Sequence, residues 1–169
     1  VCTSAYTPAT PVADSPLTIT CSGGSATNYT FDTTATALLT ISNAAQAALV
    51  LTGTSSPAVY FDTQALGTTG GSGTGAVTYS AGASTACSVS GSTLTITAAS
   101  GTCSVTATKA ADADYAEATS AAVDITVGPA ELVVTPDDQS RTFGQAAPAY
   151  TFAVTGFRNS ENAGTAAGY

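Results

Sequence analysis

The sequence predicts an all-β protein built from β-sandwich domains. Apolar residues alternate with polar ones at period two along most of the chain, glycines punctuate the runs, and no stretch carries a convincing amphipathic helical stripe. The 169 residues suit one large domain or two sandwiches, each of roughly 80 to 100 residues.

The runs can be followed in order. Leu17, Ile19 and Cys21 share a face, with Thr18 and Thr20 opposite; Tyr29 and Phe31 follow, then Leu39 and Ile41. Leu49 and Leu51, Val59 and Phe61, Val77 and Tyr79, and Cys87 and Val89 read as successive strands. Leu94 and Ile96, Cys103 and Val105, and Val123, Ile125 and Val127 continue the pattern. Leu132 and Val134, then Tyr150, Phe152 and Val154, close it. Turn formers stand between the runs at Gly23-Gly24, Gly53, Gly70-Gly71, Gly91, Gly101 and Gly144. Ala44 to Ala48 and Ala110 to Ala122 are rich in alanine, a good helix former. The second contains Asp112, Asp114 and Tyr115 and lacks a bulky apolar stripe, so it reads as a loop with at most one short turn.

Composition narrows the function classes. Alanine and threonine supply 34 and 32 residues, and charged residues only 8%. The cations are Lys109, Arg141 and Arg158, against eleven carboxylates, for a net charge of −8. Nucleic-acid binding needs clustered Lys and Arg to neutralise phosphates, so this balance argues against it. It argues equally against a polybasic membrane patch, and no run is long and apolar enough to span a bilayer. Leu, Ile, Val and Phe reach only 17% of the chain, a level otherwise associated with disorder. Disorder also requires high charge density, which is missing here. A thin core of Ala, Val and Thr methyls fits better, and such a core calls for staples.

The four cysteines fit that role. Cys2 and Cys21 lie 19 apart and Cys87 and Cys103 lie 16 apart, with no CxxC and no histidine to complete a zinc site. Local spacing predicts the pairs Cys2–Cys21 and Cys87–Cys103, hence an oxidising compartment; free buried thiols are the alternative. Strands holding Val89, Leu94–Ile96 and Val105 would put the first and third about 9.6 Å apart in a flat meander. A disulfide needs Cα atoms within about 7 Å, so the second pair predicts that the chain changes sheets there.

Catalysis finds little support. The run Gly70–Gly75 lacks the lysine and following helix of a phosphate loop and the spacing of a hydrolase elbow, so it reads as a hairpin loop. There is no histidine to activate a serine, and Lys109 is the sole lysine. Asp112, Asp114 and Glu117, or Asp137 and Asp138, could contribute to a calcium site, but solvated loop carboxylates explain them as well. Lys109 could donate to an isopeptide bond with Asn or Asp, and Asn28-Tyr29-Thr30 is a glycosylation sequon; both have plainer readings as loop and strand residues. No enzyme, cofactor or metal is expected.

Two segments carry a family likeness. Residues 65–128 contain ALGTTGGSGTGAVTYSAG, ACSVSGSTLTITAASGTCSVTATKAADADYAEATS and AAVDITV, and resemble a bacterial immunoglobulin-like repeat. Residues 130–157, AELVVTPDDQSRTFGQAAPAYTFAVTGF, resemble the start of the MBG type of bacterial surface repeat, with its Arg-Thr-aromatic-Gly turn, Pro148 and Gly156-Phe157. Phe143 stands where that pattern usually has Tyr, and Gln145 where Asp is common. Residues 1–41 resemble the end of the same domain type, so its tail comes first and its head last. The resemblance implies three parts: 1–41 as the C-terminal half of an MBG-like sandwich, 42–128 as a complete immunoglobulin-like sandwich, and 129–169 as the N-terminal half of the next MBG-like sandwich. Two 41-residue end pieces and an 87-residue middle account for the chain, as one period of a two-domain repeat.

The expectation is therefore a tandem immunoglobulin-like array in a rod, forming a structural repeat of an extracellular or cell-surface bacterial fibre, stalk or sheath. Its partners would be neighbouring copies of the same repeat, joined head to tail as separate chains or within one continuous polypeptide. The alternative is an adhesin module that binds glycans or a partner surface, with Tyr6, Tyr60, Tyr79, Tyr115 and Tyr169 as candidate contacts.

Overall fold

The structure is a computed structural model that describes residues 1–165. Among them the chain is all-β: it has fifteen strands, one 3-10 turn at Val12–Asp14 and no α-helix. No helix of the described residues is long and apolar enough to cross a membrane.

The strands run in chain order. The first three are β1 (Cys2–Thr3), β2 (Leu17–Cys21) and β3 (Ala37–Leu39). Then come β4 (Leu49–Thr52), β5 (Ala58–Val59), β6 (Thr63–Ala65), β7 (Gly67–Gly70) and β8 (Val77–Ser80). They are followed by β9 (Cys87–Ser90), β10 (Thr93–Ile96), β11 (Gly101–Lys109), β12 (Ala118–Thr119) and β13 (Val123–Gly128). Last are β14 (Val133–Pro136) and β15 (Phe152–Thr155). Their sheets are β1-β2-β3, β6-β10-β9, β12-β11-β13-β5 with β8 also on β11, β4-β7, and β14-β15.

Packing groups the chain into two compact units. One comprises Val1–Val50, Thr69–Thr78 and Ala107–Ser120; the other comprises Leu51–Thr68, Tyr79–Thr106 and Ala121–Tyr169.

The second unit holds most of the buried residues. Leu94 and Ile96 of β10, Cys103 and Val105 of β11, and Ile125 of β13 are fully buried, and Val127, Leu66, Ala58 and Ala86 nearly so. Strand alternation places them there: Thr95 stands between buried Leu94 and Ile96 with Thr93 exposed before them, and Asp124 and Thr126 flank Ile125 on the outward face. Antiparallel pairing aligns Cys103 with Ile125 and Ile96 with Cys87. At Leu66, 6% exposed, the chain leaves the β6-β10-β9 sheet and begins β7, which pairs with β4. This unit also carries the hairpin β14-β15.

The first unit contains the β1-β2-β3 sheet. Leu17, Ile19 and Cys21 share its half-buried face while Thr18 and Thr20 are exposed, as their alternation predicts. Leu17 pairs with Leu39 across β3. Beyond this sheet, Ser120 is buried and its hydroxyl accepts the Ala107 N–H at 3.0 Å.

Several readings from alternation need correction. Tyr29 and Phe31 form no strand; Tyr29 makes one isolated bridge to Ala26, and both rings are exposed. Val59 and Phe61 do not share a strand face. Ala58 is the buried residue there, and Phe61 sits at φ +63° in a tight turn. That turn is held by Asp62, whose N–H donates to the Val59 carbonyl and whose carboxylate accepts the Val59 N–H, each at 3.0 Å. β1, β6, β7 and β12 were invisible to the periodicity because they are only two to four residues long and, Cys2 apart, their Thr, Gln, Gly and Ala side chains carry almost no apolar signal.

Candidate interaction surfaces

The most exposed apolar surface belongs to the chain's two end segments. In the β14-β15 hairpin, Val134 faces Val154 and Pro136 faces Phe152 across the ladder. Period-two geometry puts Leu132, Val134 and Pro136 on the same face as Tyr150, Phe152 and Val154. The reverse face is Thr135, Ala153 and Thr155 with Val133. The hairpin is thus amphipathic, yet its apolar face is open: Tyr150 is 78%, Val134 59% and Phe152 58% exposed. An isolated two-stranded hairpin is marginal in water, and such a face invites a covering layer.

A turn at Thr142–Gln145 extends the exposed apolar character of this segment. The Gln145 N–H donates to the Thr142 carbonyl at 3.1 Å, and the Arg141 guanidinium donates to the Gln145 carbonyl at 3.1 Å. Gly144 takes φ +85°, a value suited to glycine, and leaves Phe143 fully exposed. In the first segment, Leu38 (64%), Tyr29 (79%) and Phe31 (57%) are exposed in the same way.

The cysteines form two disulfides of different kinds. Cys2 and Cys21 face each other directly across β1 and β2, with Cα atoms 3.9 Å apart. The adjacent pair exchanges the hydrogen bonds, the Ser22 N–H donating to the Val1 carbonyl at 2.8 Å. Cys2–Cys21 therefore occupies a closely spaced, non-hydrogen-bonded position. Cys2 is exposed rather than inward-facing, because β1 is an edge strand. Cys87 and Cys103, with Cα atoms 5.8 Å apart, connect β9 to β11. These strands belong to different sheets, so this disulfide ties two sheets together through buried sulfurs.

The glycine-rich loop 70–75 is a packing device. A side chain on Gly71 would strike Lys109, at 2.8 Å from its Cδ, and one on Gly73 would strike Asp112. The absence of side chains lets the loop lie against residues 109–116, where Asp112 ties it down. The Asp112 carboxylate accepts the Thr74 N–H, the Asp114 N–H at 3.0 Å and the Tyr115 N–H at 2.8 Å. These three donors, the Thr74 N–H foremost, hold its carboxyl at about 2. Asp112 thus acts as a loop staple, its oxygens occupied by backbone donors. Because its folded value lies below the unfolded one, its contribution is present above about pH 4 and is lost as pH falls toward 2. We expect amide exchange at Thr74 and Tyr115 to accelerate over that range. Asp112→Asn should flatten the pH dependence, as read by hydrogen-exchange NMR.

The other singled-out residues are dispersed. No group of three or more potential metal ligands occurs among the described residues. Asp114 turns one oxygen to the Val12 N–H at 3.4 Å, and Glu117 is exposed. Asp137 and Asp138 are exposed in a loop, where the Asp137 N–H donates to the Thr151 carbonyl at 2.9 Å. The carboxamide beside Lys109 belongs to Gln46 and donates to the carbonyls of Ala110 and Ala116 at 3.3 and 2.8 Å. Asn28 is exposed next to the Ala26–Tyr29 bridge. Tyr79 is half-buried on β8, Tyr60 donates its hydroxyl to Glu161 at 3.0 Å, and Tyr169 lies outside the described residues. Tyr6 and Tyr115 line one cavity.

Residues 132–169 match the MBG domain family, YGX type. The match covers the open hairpin and supports an MBG-type repeat, as found in bacterial surface repeat proteins. Phe143-Gly144 falls inside it. No curated protein and no solved structure matches the chain.

Proposed function

We propose that this chain is a structural repeat unit of a long extracellular or cell-surface bacterial fibre, stalk or sheath. In this reading, residues 42–128 form a complete immunoglobulin-like sandwich. Residues 129–169 of one repeat and 1–41 of the next together complete an MBG-like sandwich, so that successive repeats join head to tail. Such a heterologous contact repeats without closing and generates a filament.

One observation carries the proposal: the apolar face of β14-β15 stands open, while those strands pair only with each other. The β1-β2-β3 sheet of the other end segment likewise pairs only within itself. They hold two and three strands respectively, against about seven in an immunoglobulin-type sandwich. The two disulfides and the MBG match are consistent with an extracellular setting.

The test is a permuted chain in which residues 129–169 precede residues 1–41, Tyr169 being joined to Val1. We expect it to fold as a cooperative, monomeric domain with a sharp urea transition and the Cys2–Cys21 disulfide. A chain that shows no cooperative transition under oxidising conditions would contradict the completion model.

A further inference from the structure

Two open cavities differ in how their polar groups are used. One, of about 340 Å³, is lined by Tyr60, Leu132, Phe157, Arg158 and Glu161. Its polar groups are already engaged: Tyr60 donates to Glu161, and Arg158 bridges to Asp62 outside the lining. The other, of about 350 Å³, is lined by Tyr6, Pro11, Ile41, Ser42, Asp114 and Tyr115 among others, and lies within the first unit. There the hydroxyls of Tyr6, Tyr115 and Ser42 make no hydrogen bond among the described residues. Asp114 uses one carboxylate oxygen, weakly, on the Val12 N–H at 3.4 Å. Tyr6 is about half exposed, at 49%, while Tyr115 is half-buried and its backbone is fixed by Asp112 and by a bridge to Ala44.

We propose that this second cavity is a binding subsite for one neutral hexopyranose ring of a glycan. The argument is chemical. A pyranose ring has apolar C–H faces and a rim of hydroxyls that donate and accept. Tyrosine offers an apolar ring with a polar tip, and two of them with Pro11 and Ile41 supply the apolar surface. Asp114 is an acceptor-only group that can take sugar hydroxyl protons, and the Ser42 and tyrosine hydroxyls can both give and accept. No cation lines the cavity, and Asp114 together with the chain's net charge of −8 repels anionic ligands. The site therefore selects uncharged sugars over uronic or sialic acids. Its size falls in the range of small-molecule sites. Among the described residues, none of 129–165 lines the cavity, so its lining is complete within the single chain.

The experiment is saturation-transfer NMR and calorimetric titration of the full chain with methyl hexopyranosides and neutral oligosaccharides. The matched uronic acid, a proline-rich peptide and chelator-treated samples complete the set. The expected result is saturable binding to a neutral sugar that persists with chelator and is absent for the uronic acid. Tyr6→Ala should weaken binding at least tenfold and Asp114→Ala by a similar factor, with unchanged melting temperature. Tyr60→Phe, at the other cavity, should leave binding unchanged. Three outcomes would each overturn the proposal: no saturable binding to any neutral sugar, binding indifferent to Tyr6→Ala, or binding of the peptide alone.

Discussion

Replacing Cys87 and Cys103 together by alanine lowers the unfolding free energy by about 3 kcal/mol, the amount associated with a closed loop of about 15 residues. The pair is separated by 16 residues and joins β9 of one sheet to β11 of another. Both sulfurs are buried, with Cys87 at 6% and Cys103 at 0% exposure. The disulfide lies in the core itself, with Ile96 aligned with Cys87 and Ile125 aligned with Cys103. The Cys2–Cys21 bond closes a comparable stretch, of 19 residues, but on an exposed edge strand. Its removal should accelerate amide exchange in β1 and β2 and leave the second unit's urea midpoint in place. Equal shifts of that midpoint for the two double variants would contradict this division.

Ile125→Ala is the other large effect, at about 2–5 kcal/mol. Ile125 is fully buried in β13, aligned with Cys103 on β11, and three residues from the parallel pairing of Gly128 with Val59 on β5. Truncation removes three carbons from a core that has few large side chains to collapse into the gap. Phe152→Ala provides the contrast. At 58% exposure in the hairpin, its loss should change the stability of a single copy by about 0.5 kcal/mol or less. In a chain of two repeats the same change at the internal junction should cost about 3–5 kcal/mol, the range for a buried phenylalanine. Chemical denaturation of the four proteins decides this.

Much of the fold was legible because strands with one buried face write their burial into the sequence. Leu17, Ile19 and Cys21, Leu94 and Ile96, and Val123, Ile125 and Val127 alternate as their strands require. The same rule failed at Phe61, where local hydrogen bonds from Asp62 impose a turn that no periodicity reports. It failed again at Tyr29 and Phe31, which are exposed instead of lying on a sheet face. The sheet change between Cys87 and Cys103 followed from strand spacing and disulfide reach, because two lengths could be compared. Asp112 was legible only as a carboxylate near a loop. Its role depends on glycines almost 40 positions away, and that proximity is a product of tertiary structure. The cavity joining Tyr6 to Tyr115 was hidden for the same reason: the two tyrosines lie far apart in sequence.

The central claim is that the end segments of successive repeats complete each other. The most direct measurement is hydrogen exchange, read by mass spectrometry, on a chain of two repeats fused in frame, alongside a single repeat. In that chain one hairpin lies at the internal junction and the other has no following repeat. The account predicts two equal populations for peptides covering residues 133–136 and 152–155, one strongly protected and one exchanging as in the single repeat. Peptides covering residues 17–21 should split in the same proportion. A single population, exchanging at the rate of the single repeat, would contradict the account.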